Sequence, residues 1–136
     1  MLNHYVPLKC DYCGEDLLKK GGNVIFMTKF DYSHGTKEYI SIYFACKGDC
    51  DVELTRQNQV EGISSGWRDV KEFTNPYLYL NFIMAFINGL KKGHKYSEQA
   101  YERMKDIFLI FGQKVFRQPT HEEMENANLT FSLPPI

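Results

Sequence analysis

The chain places all four of its cysteines in two short stretches, Cys10-Asp11-Tyr12-Cys13-Gly14 and Cys46-Lys47-Gly48-Asp49-Cys50. Two intervening residues let the first pair face one metal ion from a tight turn, and Gly14 can adopt the positive φ that such a turn requires. Three intervening residues put the second pair on one face of a helix if a helix begins there. The spacing predicts a four-thiolate zinc site with the ligands Cys10, Cys13, Cys46 and Cys50.

The segment between the two cysteine pairs has the composition of a β-hairpin. Residues 23–30 are β-branched and aromatic, and residues 38–44 alternate in a way that gives a strand two distinct faces. Residues 31–37, between them, are typical of a turn. Residues 51–59 can continue a helix from the second cysteine pair, and the N-terminus of a helix favours thiolates through its dipole and its free N–H groups.

This third of the chain resembles the treble-clef zinc fingers of the TRASH, MYM and FCS type. The resemblance rests on a Cys-x-x-Cys-Gly turn, a hairpin and a cysteine pair at a helix start. The second element of the resemblance is Tyr43-Phe44-Ala45-Cys46-Lys47-Gly48-Asp49-Cys50. Ala45 departs from the family pattern by separating the aromatic residue from the cysteine, and the hairpin is longer than usual. The resemblance implies zinc and a treble-clef fold. It leaves the partner open, because such fingers serve metal sensing, protein contacts and nucleic-acid contacts alike.

Two disulfides, a thiol redox pair and unligated thiols are the alternatives to zinc. Met1 to Lys9 lacks the apolar run of a signal peptide, so we expect a cytoplasmic protein whose thiols are reduced and free to bind a metal. Four thiolates close the coordination sphere and leave no position for water, so we expect one structural zinc per chain. Lys9 and Lys47 lie beside the ligands in sequence and are expected to balance part of the site's negative charge.

The remaining chain is predicted to form a connector, two helices and a tail. Residues 59–75 are the connector, in which Trp67 is expected to cover the core from a helical turn. Asn75-Pro76 is a helix start signal, and the helix that follows is apolar nearly all round. A short link joins it to a second helix, so residues 76–118 are expected to form an antiparallel helical hairpin. Residues 119–136 are expected to form an extended tail.

The second helix of this predicted hairpin is capped by Ser97 and carries one apolar stripe. The stripe comprises Tyr101, Met104, Phe108, Phe111 and Val115, and Ile107 and Ile110 widen it. Together these signals predict an α+β protein, in which a treble-clef-like zinc-binding domain at residues 1–58 packs against the helical hairpin.

Composition and charge argue against two functional classes, a general binder of polyanions and a protein that spans a membrane. The chain is 43% apolar and 15% aromatic, which supplies a packed core, and its net charge of -1 argues against a general binder of polyanions. The longest apolar run, Tyr77 to Leu90, is shorter than the roughly 20 residues that a membrane span needs. A helix that is apolar on every side needs a cover, so residues 77–90 are also a candidate homodimer surface.

The sequence has no catalytic signature such as a phosphate-binding glycine loop, a Gly-x-Ser-x-Gly elbow or a His-Glu-x-x-His pair. The leading hypothesis is a non-enzymatic, zinc-stabilised binding or adaptor module for a protein partner, met through the helical pair or the tail. The alternative is a small nucleic-acid-binding regulator that uses the basic cluster Lys91-Lys92-Gly93-His94-Lys95. Those lysines also have a simple structural explanation at a helix C-terminus. A third hypothesis, an enzyme with an unrecognised site, would centre on His34.

Overall fold

The computed structural model describes residues 7–117 and 120–131, the last four of them as backbone only. A four-stranded sheet and five α-helices make up this part of the chain, which confirms the predicted α+β class. The elements in chain order are α1 (Leu17–Lys20), β1 (Asn23–Asp31), β2 (Thr36–Ala45), α2 (Asp49–Asn58), β3 (Ser64–Asp69), a 3-10 helix (Val70–Thr74), α3 (Pro76–Lys92), β4 (Lys95–Tyr96), α4 (Glu98–Phe116) and α5 (His121–Phe131).

The sheet has the strand order β3-β1-β2-β4. The predicted hairpin is present as β1 and β2, which pair antiparallel, and a register shift lies between Met27 and Thr28. The outer strand β3 pairs antiparallel with β1, so the segment predicted as a connector contributes a strand of its own. The two-residue strand β4 lies between α3 and α4 and pairs parallel with β2.

Helices pack on both faces of the sheet. Successive side chains of a strand point to opposite faces, so neighbouring residues of β2 contact different helices. Tyr43 faces α2 and donates a hydrogen bond from its hydroxyl to Asn58 over 2.9 Å. Its neighbour Phe44 faces α4, where the Arg103 guanidinium lies 4.6 Å from its ring centre. Phe26 points to the same side as Phe44 and contacts the ring of Phe82 in α3.

The core on the α3 and α4 side is built from aromatic rings. Phe73 of the 3-10 helix is buried between Phe82 of α3 and Phe111 of α4, with ring centres 4.8 and 5.1 Å away. Ring pairs at these separations stabilise a core beyond their burial alone. The core continues through the sheet to the cysteine-bearing segment, where Leu8 and Leu17 are fully buried.

The two long helices begin at the predicted signals. The Asn75 side chain accepts hydrogen bonds from the backbone N–H groups of the first turn of α3, and Ser97 caps α4 through Ala100. Tyr79 of α3 donates from its hydroxyl to the Phe108 carbonyl of α4 over 2.8 Å. The antiparallel arrangement of this pair stays a prediction, and none of the helices in the described ranges is both long and apolar enough to span a membrane.

Three expectations for this half of the chain are wrong. Trp67 lies in β3 with 65% of its surface exposed, so it does not cover the core. Tyr101 is exposed rather than part of the inner stripe of α4, whereas Ile107 and Ile110, which were predicted to widen that stripe, are buried. The tail is helical over His121–Phe131 rather than extended, while its residues 119 and 132–136 lie outside the described part.

Candidate metal centre

The first cysteine pair lies on a turn closed by backbone hydrogen bonds. Lys9 and Asp16 pair across it as an isolated antiparallel bridge, and the Cys10 N–H donates to the Glu15 carbonyl over 2.8 Å. Gly14 donates to the Cys10 carbonyl over 2.9 Å with a φ of 81°. That φ belongs to the left-handed region that glycine occupies without strain, so Gly14 allows the chain to turn directly after Cys13.

The second cysteine pair lies where β2 passes into α2. Cys46 follows the last residue of β2, and Gly48 turns the chain into the helix with a φ of 89°. Cys50 is in the first turn of α2, and the N–H of Asp51 donates to the Cys46 carbonyl over 3.1 Å. The predicted helix start is confirmed, and both sulfurs lie at the end of a helix that carries partial positive charge.

The structure brings the four predicted ligands together. Their Sγ atoms all lie within 4.8 Å of one another, and the Sγ atoms of Cys13 and Cys46 are 3.5 Å apart. Tetrahedral zinc with Zn–S bonds of about 2.3 Å would separate neighbouring sulfurs by about 3.8 Å. The sulfurs are too far apart for a disulfide bond, which needs about 2.05 Å, and all four cysteines are free. The cluster is therefore of a size that one metal ion would fill.

Burial and hydrogen bonding shift the pKa values of Cys10, Cys46 and Cys50 in different directions. Removal from water would raise the pKa of Cys10, but N–H donors from Cys13, Cys46 and Tyr12, each 3.4 Å from its sulfur, lower it to about 7. Removal from water and then the neighbouring thiols raise the pKa of Cys46, and they raise the pKa of Cys50 to about 12. Four thiols crowded in this way ionise together only when a cation offsets their repulsion, as a metal ion does.

A salt bridge that the sequence did not reveal fastens the first turn to α4. Arg103 donates to Asp11 Oδ1 over 2.7 Å, while Asp11 Oδ2 accepts the backbone N–H of Phe44 over 2.7 Å. The Asp11 N–H donates to the Phe44 carbonyl over 2.7 Å, so the turn is tied to β2 twice. Asp11 lies between the first two ligands, but no sequence signal connects it to a residue 92 positions away.

Two lysines near the cluster, Lys20 and Lys47, pair with carboxylates. Lys47 pairs with Asp69 Oδ2 at 2.5 Å, and Lys9 is exposed on the bridge that closes the turn. The pKa of Lys20 is raised first by a hydrogen bond to Glu15 and then by the charge of Cys46. Charge balance by Lys9 and Lys47 stays a prediction, and the ion-pair partner of Lys47 in the structure is the Asp69 carboxylate.

The other candidate residues lie apart from this cluster. His34 is exposed in the β1–β2 turn, where its Nδ1 is 2.8 Å from Asp31 Oδ2. The lysines of the Lys91–Lys95 cluster are exposed at the end of α3 and the start of β4. Among the described residues, the four cysteines form the one group of three or more His, Cys, Asp or Glu side chains with metal-binding proximity.

Comparison with known proteins does not assign the chain to a family. No protein-family model matches it, and neither curated proteins nor solved structures match it. The site is therefore interpreted from its own geometry.

Proposed function

We propose that this protein is a non-enzymatic binding module stabilised by one structural zinc ion. The convergence of four Sγ atoms within 4.8 Å carries the proposal. Zinc suits four thiolates in a tetrahedron, and a closed set of four protein ligands leaves no coordination position for a substrate or a water nucleophile. Cys10, Cys13, Cys46 and Cys50 are its ligands.

The order of elements around the cluster supports the resemblance to treble-clef fingers. A cysteine turn, a hairpin and a helix that carries the last ligand follow one another along residues 8–58. The two buried ligands, Cys10 and Cys46, belong to the same apolar core as Leu17 and Val24. Metal binding therefore contributes directly to the folding free energy of this segment. Free thiols in this cluster also fit a reducing compartment such as the cytoplasm.

Metal content and thiol reactivity test this proposal together. Protein purified under reducing conditions is expected to contain one zinc per chain, and its four thiols are expected to resist a thiol reagent until a chelator removes the metal. Cobalt substituted for zinc reports the geometry through the absorption of a tetrahedral thiolate site. Cys13→Ser tests the ligand set with the least disturbance of packing, because Cys13 is the exposed ligand, and it is expected to bind the metal more weakly. Full-length protein that folds without metal and with four freely reactive thiols would exclude the zinc site.

A protein is the partner that the helical surface supports best. Leu80, Met84 and Ile87 of α3 are each about half exposed, at 50%, 54% and 51%, and are spaced to lie on one stripe of the helix. A run of exposed apolar side chains on one helix is typical of a contact surface. A second copy of this chain is one such partner, as the sequence suggested for residues 77–90. Sedimentation of the zinc-loaded protein distinguishes a homodimer from a 15.9 kDa monomer that awaits another partner.

Nucleic-acid binding is the second candidate function, favoured by the exposure of Lys91, Lys92 and Lys95. Replacing these three lysines by glutamine is expected to lower affinity and flatten its dependence on salt, since each phosphate contact releases counterions. Lys114→Gln, at an exposed position of α4, is the control for loss of charge alone. Absence of binding by the unaltered protein, or a salt dependence that the triple variant leaves unchanged, would exclude this function.

A further inference from the structure

A cleft of about 480 Å³ lies on the face of the sheet that α3 covers. Its volume falls within the range of about 300 to 1,000 Å³ that small-molecule sites occupy. Aromatic side chains line its apolar part, and hydroxyl, guanidinium, ammonium and imidazole groups line the rest. The cleft is on the opposite face of the sheet from α2, and none of the four cysteines lines it. It is therefore a site distinct from the candidate metal centre.

Five half-buried aromatic rings form one continuous surface in the cleft. Tyr39 and Tyr96 stack with their ring centres 4.4 Å apart and their planes 2° from parallel. Phe26 meets the edge of Tyr39 at 6.3 Å and Phe82 at 6.2 Å, and Phe86 meets Tyr96 at 5.2 Å. Planar ligands stack on such surfaces, and each stacked base gains the equivalent of about ten-fold or more in affinity.

Small residues of β3 keep the wall of the cleft open. Gly66 pairs with Phe26, and directly paired residues of a sheet point to the same face, so a side chain at position 66 would enter the cleft. A Cβ built there meets no atom within 4 Å. Ser64 points to the same side, two residues away, and supplies a hydroxyl. Because β3 is an outer strand of the described sheet, its free backbone edge adds donors and acceptors beside these residues.

Two cationic side chains, Lys37 and Arg68, line the cleft together with the carboxylate of Glu72. Arg68 lies 5.8 Å from the ring centre of Phe82 and pairs with Glu72 at 3.6 Å, while Lys37 lines the opposite wall. His94 Nδ1 accepts the backbone N–H of Lys37 over 2.9 Å, so the proton of the neutral imidazole is on Nε2.

We propose that the cleft binds a nucleobase that carries a phosphate, either as a free nucleotide or as one unit of a single-stranded nucleic acid. The base stacks on the aromatic surface, and its polar edge meets the hydroxyls and the free edge of β3. The phosphate lies near Lys37 and Arg68. The proposal does not rest on the zinc site, and its failure would leave the metal-binding proposal intact.

Isothermal titration calorimetry on the full-length, zinc-loaded protein tests the proposal. The probes are the monophosphates of adenosine, guanosine, cytidine and uridine, and a single-stranded RNA of about ten nucleotides. Saturable binding of a nucleotide alone identifies the free nucleotide as the ligand. Saturable binding of the RNA alone, with a steep dependence on salt, identifies a nucleic acid. No saturable binding of any probe up to millimolar concentration would overturn the proposal.

Gly66→Leu places a side chain inside the cleft and is expected to reduce affinity at least ten-fold. Asn88→Leu is the control for an added leucine, because Asn88 is exposed in α3 and does not line the cleft. Ala85→Leu obstructs the cleft from α3 by a helix-compatible change, which keeps the test valid if the strand variant fails to fold. Lys37→Gln is expected to weaken binding three- to ten-fold while the backbone bond to His94 persists. Unchanged affinity in both folded leucine variants of the cleft would also overturn the proposal.

Discussion

The Asp11–Arg103 pair offers a quantitative test of how the metal-binding turn is held. Its two side chains are only 21% and 27% exposed, and the N–O distance is 2.7 Å. A hydrogen bond to a charged group contributes about 1.5 to 3 kcal/mol, and the contact of Arg103 with the Phe44 ring adds about 0.5 to 1 kcal/mol. Arg103→Met keeps an apolar stem over the ring and removes the charge, so we expect a loss of about 2 kcal/mol.

A double-mutant cycle with Asp11→Asn separates the pair from its surroundings. The amide retains an oxygen that accepts the Phe44 N–H, so the cycle reports the interaction with Arg103 alone. We expect a coupling free energy of about 1 to 2 kcal/mol. The matched control is Lys105 with Glu102, an exposed pair on the same helix with an N–O distance of 3.2 Å, for which we expect about 0.5 kcal/mol or less.

Urea unfolding of the zinc-loaded protein measures both cycles. For a slope of about 2 kcal/mol per molar urea, Arg103→Met is expected to lower the midpoint by about 1 M. A second assay measures the rate at which a chelator removes the metal. This rate should rise in Arg103→Met, because Asp11 lies between two of the proposed ligands, and should not change in Lys105→Met. A coupling free energy no larger than that of the control pair would refute the reasoning.

Three further predictions concern other parts of the fold. Gly22→Ala is expected to lower the free energy of unfolding by about 1 to 3 kcal/mol, because its Cβ would collide with a backbone carbonyl of β2; thermal melting measures it. In Gln99→Met, the backbone N–H and C=O of Ile42 lose their hydrogen bonds of 2.9 and 2.7 Å to the Gln99 amide. We expect the free energy of unfolding to fall by about 1 to 3 kcal/mol and amide exchange at Ile42 to become faster. Met84→Lys is expected to convert any dimer formed through α3 to monomer in sedimentation, with an unchanged melting temperature, whereas Lys114→Met is expected to leave assembly unaltered.

The local parts of the fold could be predicted from the sequence because their signals are local. The two cysteine spacings, the β1–β2 hairpin and the caps at Asn75 and Ser97 each depend on residues within a few positions of one another. Backbone geometry at such distances restricts the outcome to a few arrangements. The proximity of the four cysteines was predictable to the same degree, since each pair is close in sequence, and their binding of a metal stays a prediction.

The errors concern segments whose structure depends on distant partners. The spacing of Trp67, Val70 and Phe73 is helical. Pairing with β1 places Trp67 in strand β3, however, so only Val70 and Phe73 lie in a helical turn. Tertiary pairing overrides a weak local preference of this kind. The tail, residues 119–136, was predicted to be extended, whereas His121–Phe131 form a helix.

Helix α4 connects the candidate metal centre to the rest of the fold through contacts that no spacing rule reveals. Gln99 uses its amide to pair with Ile42 as a neighbouring strand would, across 57 positions of the chain. One turn further along, Arg103 reaches the cysteine-bearing turn across 92 positions. Both side chains belong to the same helix, so movement of the turn is transmitted to the edge of the sheet. If a metal ion holds that turn as proposed, its removal is expected to loosen α4 as well as the cysteine-bearing segment.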